Sequence, residues 1–213
     1  MSLFRLDSSI FPGASATAEL AGIIEAEWVA EHPGAAVVRR DLGSNPLPAD
    51  AWALATTANF AAEEERSPAQ REALALAATL AAELKDAEAV LLAVPLYNYG
   101  VSQHFKAWVD LVIAGAGASN PVLEGKPTVL ATARGGGYGP GTPREGWDHS
   151  TPYLRRVLAD MWGADLTVIE RELTLAGVNP ALDGLKDLAA QLHADALAAA
   201  RQAGKALAAR QPA

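Results

Sequence analysis

A chain of 213 residues, half of them hydrophobic and a fifth charged, is expected to form one domain of ordinary-to-large size around a sizeable core. Its formal net charge of −8 argues against general nucleic-acid binding, which needs a basic face, and the lack of any cysteine excludes disulfides, thiolate chemistry and Cys-ligated metals. No run of about 18 apolar residues suggests a membrane span. The opening Met1-Ser2-Leu3-Phe4-Arg5 lacks the charged-then-apolar pattern of a signal peptide, so a cytoplasmic location is the expectation.

Residues 3–7 read as a first strand, followed by a loop, Ser8 to Thr17, rich in hydroxyls and small side chains. A helix is predicted from about Ser15 to Glu31, with Leu20, Ile23, Ile24 and Trp28 at helical spacing. The first turn of a helix has unpaired N–H groups and partial positive charge; directly after a strand it makes a natural phosphate site. Ser9, Ser15 and Thr17 would add hydroxyl donors there; the alternative is that Ser15 merely caps the helix. Pro33-Gly34 turn the chain into a second strand, Ala35–Arg39, of parallel-sheet character. The connection from Asp41 to Pro48 and the stretch after it, with Trp52 and Phe60, exceed a usual strand-to-helix link. They read as an excursion that covers a ligand or meets another subunit, against a helical insertion packed on its own chain. Ser67-Pro68 is a helix start, with proline at the first helical position, and Leu74, Leu76 and Leu80 point inward along a helix to about Leu84.

The third strand, Ala89 to Val94, is apolar without alternation, as suits a strand buried on both faces of a parallel sheet. It stops at Pro95 and opens into Leu96-Tyr97-Asn98-Tyr99-Gly100, a loop with two aromatic faces, an amide and a glycine. A helix from about His104 to Ile113 follows, with Phe105, Trp108, Val109 and Val112 on one face. The fourth strand, Lys126–Thr132, ends in Ala133-Arg134-Gly135-Gly136-Gly137-Tyr138 and two further glycines. A helix over Thr151–Met161, a fifth strand at Leu166–Ile169 and an alanine-rich helix to about Ala209 complete the chain. Strand and helix alternate five times, which predicts an α/β doubly wound parallel sheet with helices on both faces and right-handed crossovers. The loops after the first, third and fourth strands have ligand-like composition, and in such a sheet those strands are neighbours at the switch point.

These parts suggest a phosphate held at Ser9–Thr17 and a planar ring held between the two later loops. Tyr97 and Tyr99 offer stacking or edge contact, Asn98 and backbone N–H groups can bond ring edges, and Gly135, Gly136 and Gly137 let the main chain approach closely. The alternatives are rim packing for the two tyrosines and a structural ion pair for Arg134. The glycines of the 135–141 loop are not the dinucleotide fingerprint, which belongs in the first strand-to-helix turn, and no Walker motif or metal-spaced histidine pair is present. His104 and His149 could lie near the ligand loops.

On these residues the chain resembles the FMN-dependent NADH-azoreductase family, of flavodoxin-like fold and related to the NAD(P)H quinone reductases. Ser8-Ser9-Ile10 with Gly13, Ser15 and Thr17 is similar to its phosphate loop, and Asp41-Leu42 with Pro46-Leu47-Pro48 to its second-strand exit. Pro95 to Val101, then Lys106-Ala107-Trp108-Val109-Asp110, is similar to its flavin-ring loop and the helix after it; Thr132 to Gly136 resembles its second ring loop. Tyr99, Ser102, Ala16 and Ala133 stand where the family often has phenylalanine, proline, a polar residue and serine. The resemblance implies FMN held without a covalent bond by Ser9, Ser15, Ala16, Thr17, Pro95, Leu96, Tyr97, Asn98, Tyr99, Ala133, Arg134, Gly135 and Gly136. It also implies a homodimer with active sites at the interface, and ping-pong hydride transfer through flavin N5 from NADH or NADPH to a quinone or azo compound. No side-chain acid is nominated; Tyr99 and the 44–65 excursion would shape the acceptor pocket. Two other readings stay open: a flavodoxin-like electron carrier, and a non-catalytic interaction protein on the same fold.

Overall fold

The computed structural model describes residues 1–11 and 13–210. Five strands, β1 (Ser2–Asp7), β2 (Ala36–Asp41), β3 (Ala89–Ala93), β6 (Pro127–Ala133) and β7 (Asp165–Arg171), form one sheet in the order β2-β1-β3-β6-β7. Every pairing in it is parallel, and the register runs Leu6↔Leu92, Leu92↔Leu130 and Leu130↔Val168 across one row. The two short strands β4 (Leu96–Tyr97) and β5 (Gly100–Val101) pair only with each other, antiparallel.

Alternate residues of the sheet feed two separate cores. Phe4 and Leu6 of β1 and Val90 and Leu92 of β3 join one, which is closed by α3 (Pro68–Asp86) and α4 (Gln103–Ala116). Leu3, Ala89, Leu91 and Ala93 face the other, closed by α1 (Ala16–Glu31) and the long α6 (Lys186–Ala209). β3 is buried along its whole length, which is why its sequence shows no alternation. β2 is the edge strand and is largely exposed. α3 begins with a full capping box, in which Ser67 and Gln70 satisfy each other's backbone N–H groups. Ser102 caps α4 by accepting from the Phe105 N–H at 3.2 Å.

The excursion after β2 is helical. α2 (Ala51–Ala58) sets Ala51 and Ala55 in the core beside α3 and α4, buries Ala58 as well, and leaves Trp52 half exposed and Phe60 almost fully exposed. The insertion therefore packs on its own chain. The helix read from Thr151 to Met161 is α5 (Thr151–Arg155) running on as a π-helical turn, Arg156–Met161.

Candidate functional site

Three loops meet above the carboxyl ends of β1, β3 and β6, which lie side by side in the sheet. Together they wall a cavity of about 1040 Å³, at the upper end of what a small-molecule cleft holds. Ser9, Ser15, Ala16, Thr17, Pro95, Leu96, Tyr97, Asn98, Tyr99, Ala133, Gly135 and Gly136 all line it.

One end of the cavity is built on the first turn of α1, a geometry suited to an anion. Ser15 sits at the N-cap of α1, where its Oγ accepts from the Ala18 N–H at 3.3 Å and lies 2.8 Å from Thr17 Oγ1. It caps the helix and also faces the cavity, so the two readings of this residue are compatible. The N–H groups of Ala16 and Thr17 meet no acceptor among the described residues, as expected for a first turn. With two hydroxyls beside them they form a concentrated set of donors at a positive helix end.

The Ser9 loop is held from the opposite wall. Tyr97 Oη lies 3.0 Å from Ser9 Oγ and accepts from the Ile10 N–H at 3.2 Å, while Ser9 Oγ accepts from the Phe11 N–H at 3.2 Å. From behind, Gly43 presses on the same loop: a Cβ there would stand 1.9 Å from the carbonyl oxygen of Ser9. Tyr97 thus lines the cavity and places its hydroxyl on the neighbouring loop.

The second wall is a hairpin turn. Asn98 and Tyr99 both take positive φ, 48° and 70°, the pattern of a two-residue type I′ turn joining β4 and β5. A glycine would adopt this readily; Tyr99 adopts it under strain. Its surroundings hold it there: its carbonyl accepts from the His149 N–H at 2.9 Å, and its ring meets Trp147 edge-on at 5.5 Å and Tyr138 at 6.4 Å. The Asn98 side chain is exposed and has no hydrogen-bond partner among the described residues.

The third wall presents donors because its acceptors are occupied. The carbonyls of Arg134, Gly135 and Gly136 accept from the N–H groups of Thr174, Leu175 and Leu173, at 3.1, 3.1 and 3.3 Å. The N–H groups of Gly135 and Gly136 meet no acceptor among the described residues. Leu173 takes φ 57° to serve this ladder.

Arg134 lies elsewhere than the sequence suggests. It is not part of the cavity wall; its guanidinium is buried and pairs with Asp148 at 2.7 Å, Glu170 at 3.0 Å and Glu172 at 3.2 Å, and donates to Thr151 Oγ1 at 2.9 Å. Burial works against its charge, but the hydrogen bond to Glu170 and the charges of Glu170, Asp148 and Glu172 outweigh this and raise its pKa. Asp148 is likewise opposed by burial, yet hydrogen bonds from Thr151 and the charge of Arg134 hold its carboxyl below the ordinary carboxylate value. Arg134 is the structural ion pair that was its alternative, anchoring the ring loop from outside. The 44–65 excursion contributes no wall to this cavity either, so it does not shape an acceptor pocket within the chain.

Several wall residues lie where sequence reading did not look. Arg171, Thr174, Leu175 and Val178 come from the exit of β7, which neighbours β6, and Tyr138 and Arg144 come from farther along the ring loop. The switch-point rule itself, applied to one more strand, would have included the β7 exit. His149 lies beside Tyr99 through its backbone, and His104, in the first turn of α4, is outside the wall.

A nucleotide-like ligand with a phosphate at one end and a flat ring at the other matches this arrangement, on a doubly wound sheet of order β2-β1-β3-β6-β7. The chain belongs to the flavodoxin-like fold family, whose model matches residues 1–203. Within it, the chain is 41% identical over 204 residues to an FMN-dependent NADH:quinone oxidoreductase of Frankia casuarinae, covering 93% of this chain and 96% of that protein. Among solved structures, an azoreductase from Bacillus anthracis superposes with a TM-score of 0.78 at 19% identity, covering 97% of this chain and 99% of the other. An FMN-dependent NADH-azoreductase from the same species, solved in complex with FMN, superposes with a TM-score of 0.75 at 14% identity, over 97% and 99% of the two chains.

Proposed function

We infer that this protein is an FMN-dependent NAD(P)H oxidoreductase that reduces quinones and azo compounds. The observation that carries the reading is the convergence of the loops after β1, β3 and β6 on one cavity with anion donors at one end and unpaired N–H groups and aromatic rings at the other. The donor set suits FMN. In this reading Ser9, Ser15, Ala16 and Thr17 hold the phosphate, through hydroxyls and first-turn N–H groups. Gly135, Gly136 and Asn98 supply donors to the polar edge of the ring system, and Pro95, Leu96 and Tyr97 supply its apolar bed. When bound, FMN supplies the two-electron carrier chemistry.

The residues of the chain then have positioning and electrostatic work to do. N–H donors fixed by the 173–175 ladder stabilise negative charge at the ring edge without reorganising. Tyr99, Tyr138 and Trp147 form an aromatic rim beside the ring site, which suits a flat second substrate and limits water there. A homodimer is part of the same proposal: Phe60 is 88% exposed and Val178 75%, and a second copy would cover such side chains. A cytoplasmic location, where reduced nicotinamide is supplied, is proposed with it; among the described residues no helix is long and apolar enough to cross a membrane.

The test is spectroscopic. Purified protein incubated with FMN and freed of excess should keep a flavin absorbance near one equivalent. Anaerobic NADH or NADPH should bleach it, and a quinone should restore it. Protein that takes up no FMN ends this reading; uptake without bleaching by either nicotinamide favours an electron carrier.

A further inference from the structure

Two guanidinium groups stand on the cavity wall, and they differ in one respect. Arg171 is committed to Glu19 at 2.6 Å. Arg144 is exposed and pairs with no carboxylate among the described residues. Its position is defined all the same. Its Cζ lies 5.8 Å from the centre of the Tyr138 ring, a cation–π distance, and its NH1 would be 2.6 Å from a Cβ on Gly136, so it rests on the glycine of the ring loop. It is therefore at the ring end of the cavity, while the helix end that suits the cofactor phosphate is formed by a different loop. In a chain with net charge −8, an uncompensated cation at the mouth of a cleft steers anions to that point.

We propose that Arg144, seated on Tyr138 and Gly136, is an anion subsite for the second substrate. It takes either the pyrophosphate of the dinucleotide donor or a sulfonate or carboxylate on an aromatic acceptor. The proposal rests on the oxidoreductase reading above. Both molecules enter the same place in turn, so one guanidinium can serve either or both. A planar fork matches the oxygens of all three anions, and a neutral quinone has nothing for it to hold.

The experiment uses FMN-loaded protein, wild type, Arg144→Gln and Arg144→Lys, each first checked for flavin absorbance and melting temperature. Calorimetric titration with redox-inert probes then separates the sources: ADP-ribose for the donor, naphthalene-2-sulfonate for the acceptor, and 2-naphthol as the uncharged control. For an exposed charge pair the expected loss in Arg144→Gln is about 5-fold in Kd for at least one anionic probe, with 2-naphthol unchanged and Arg144→Lys in between. The wild-type affinity for that probe should fall with added salt and the Gln variant's should not. Loss for ADP-ribose alone assigns the subsite to the donor, loss for the sulfonate alone assigns it to the acceptor, and loss for both makes it shared. Equal anion affinities in wild type and Arg144→Gln, no anion binding by the wild type, or an equal loss for 2-naphthol overturns the proposal. A protein that takes up no FMN refutes the oxidoreductase reading and the subsite with it.

Discussion

Replacing Gly43 with alanine should damage the anion cradle from behind without touching the cavity. The added Cβ would stand 1.9 Å from the Ser9 carbonyl oxygen and 2.9 Å from its carbonyl carbon, and side-chain carbons essentially never approach closer than 3.0 Å. The backbone at Ser9 must therefore retreat by about 1 Å or more, because the neighbour is main chain and not a rotatable side chain. A shift of that size breaks the 3.0 Å contact between Ser9 Oγ and Tyr97 Oη and moves Ser9 off the cavity wall. Losing one charge-assisted hydrogen bond to a phosphate costs about 1.5–3 kcal/mol, so the FMN dissociation constant should rise roughly 10- to 100-fold. Quenching of flavin fluorescence on titration into apo-protein measures it, and riboflavin titrated in parallel serves as the control without phosphate. Riboflavin affinity should change much less than FMN affinity. An unchanged FMN constant, in protein that melts as the wild type does, would refute the claim that Ser9 and its loop position the phosphate.

Three other substitutions probe separate parts of the argument. Tyr97→Phe removes the hydroxyl shared by Ser9 and the Ile10 N–H, which water can replace at this edge, so stability should fall by only about 1 kcal/mol; FMN affinity should drop more than riboflavin affinity, and an equal drop would show that the hydroxyl does not act through the phosphate loop. Asp148→Asn tests the cluster behind the ring loop: the native carboxyl is held below its ordinary value, so its charge stabilises the fold above about pH 4 and that share is lost as pH falls toward the native pKa. The variant should melt lower at neutral pH and lose less than the wild type as pH falls below the ordinary carboxylate range, with parallel melting curves against pH as the contrary result. Gly22→Ala on α1 meets open space and should raise stability by about 1 kcal/mol in chemical denaturation, since only helix propensity changes; a loss would mean that α1 packs differently from this description.

What the sequence disclosed depended on whether a signal is local. β3 was legible because a strand buried on both faces leaves an unbroken apolar run, and α3 because Ser67-Pro68 writes its cap in the chain. The hairpin of β4 and β5 was not, because each strand is two residues long and its turn is Asn98-Tyr99, where the usual signal is a glycine. The direction of Arg134 was also out of reach: its partners Glu170 and Glu172 lie at the end of β7, and only the pairing of Ala133 with Arg171 brings them alongside. The stretch around α2 is long and irregular in sequence, but its alanine face only acquires meaning once α3 and α4 are beside it. The same holds for Leu175 and Val178, ordinary apolar residues until the order of strands puts the β7 exit next to the ring loop.

The distribution of strain explains why a site with so few committed side chains can still be specific. Backbone N–H groups serve a ligand only if their own loop does not fold back to use them, and glycine-rich loops are the ones most free to do so. Here that collapse is prevented by occupying the carbonyls of Arg134, Gly135 and Gly136 with the turn at 173–175, which requires Leu173 at positive φ, and by clamping the flanks of the loop through Arg134. On the opposite wall, Tyr99 at positive φ holds Asn98 at the tip of its turn, with the amide unpaired among the described residues. Leu173 lies behind the cavity wall and Tyr99 on it, and in both cases packing around the residue holds the conformation. A ligand in this cavity would therefore meet donors whose ordering cost is met by the core during folding, which is what the proposed flavin site needs when, among the described residues, its wall carries no buried titratable group.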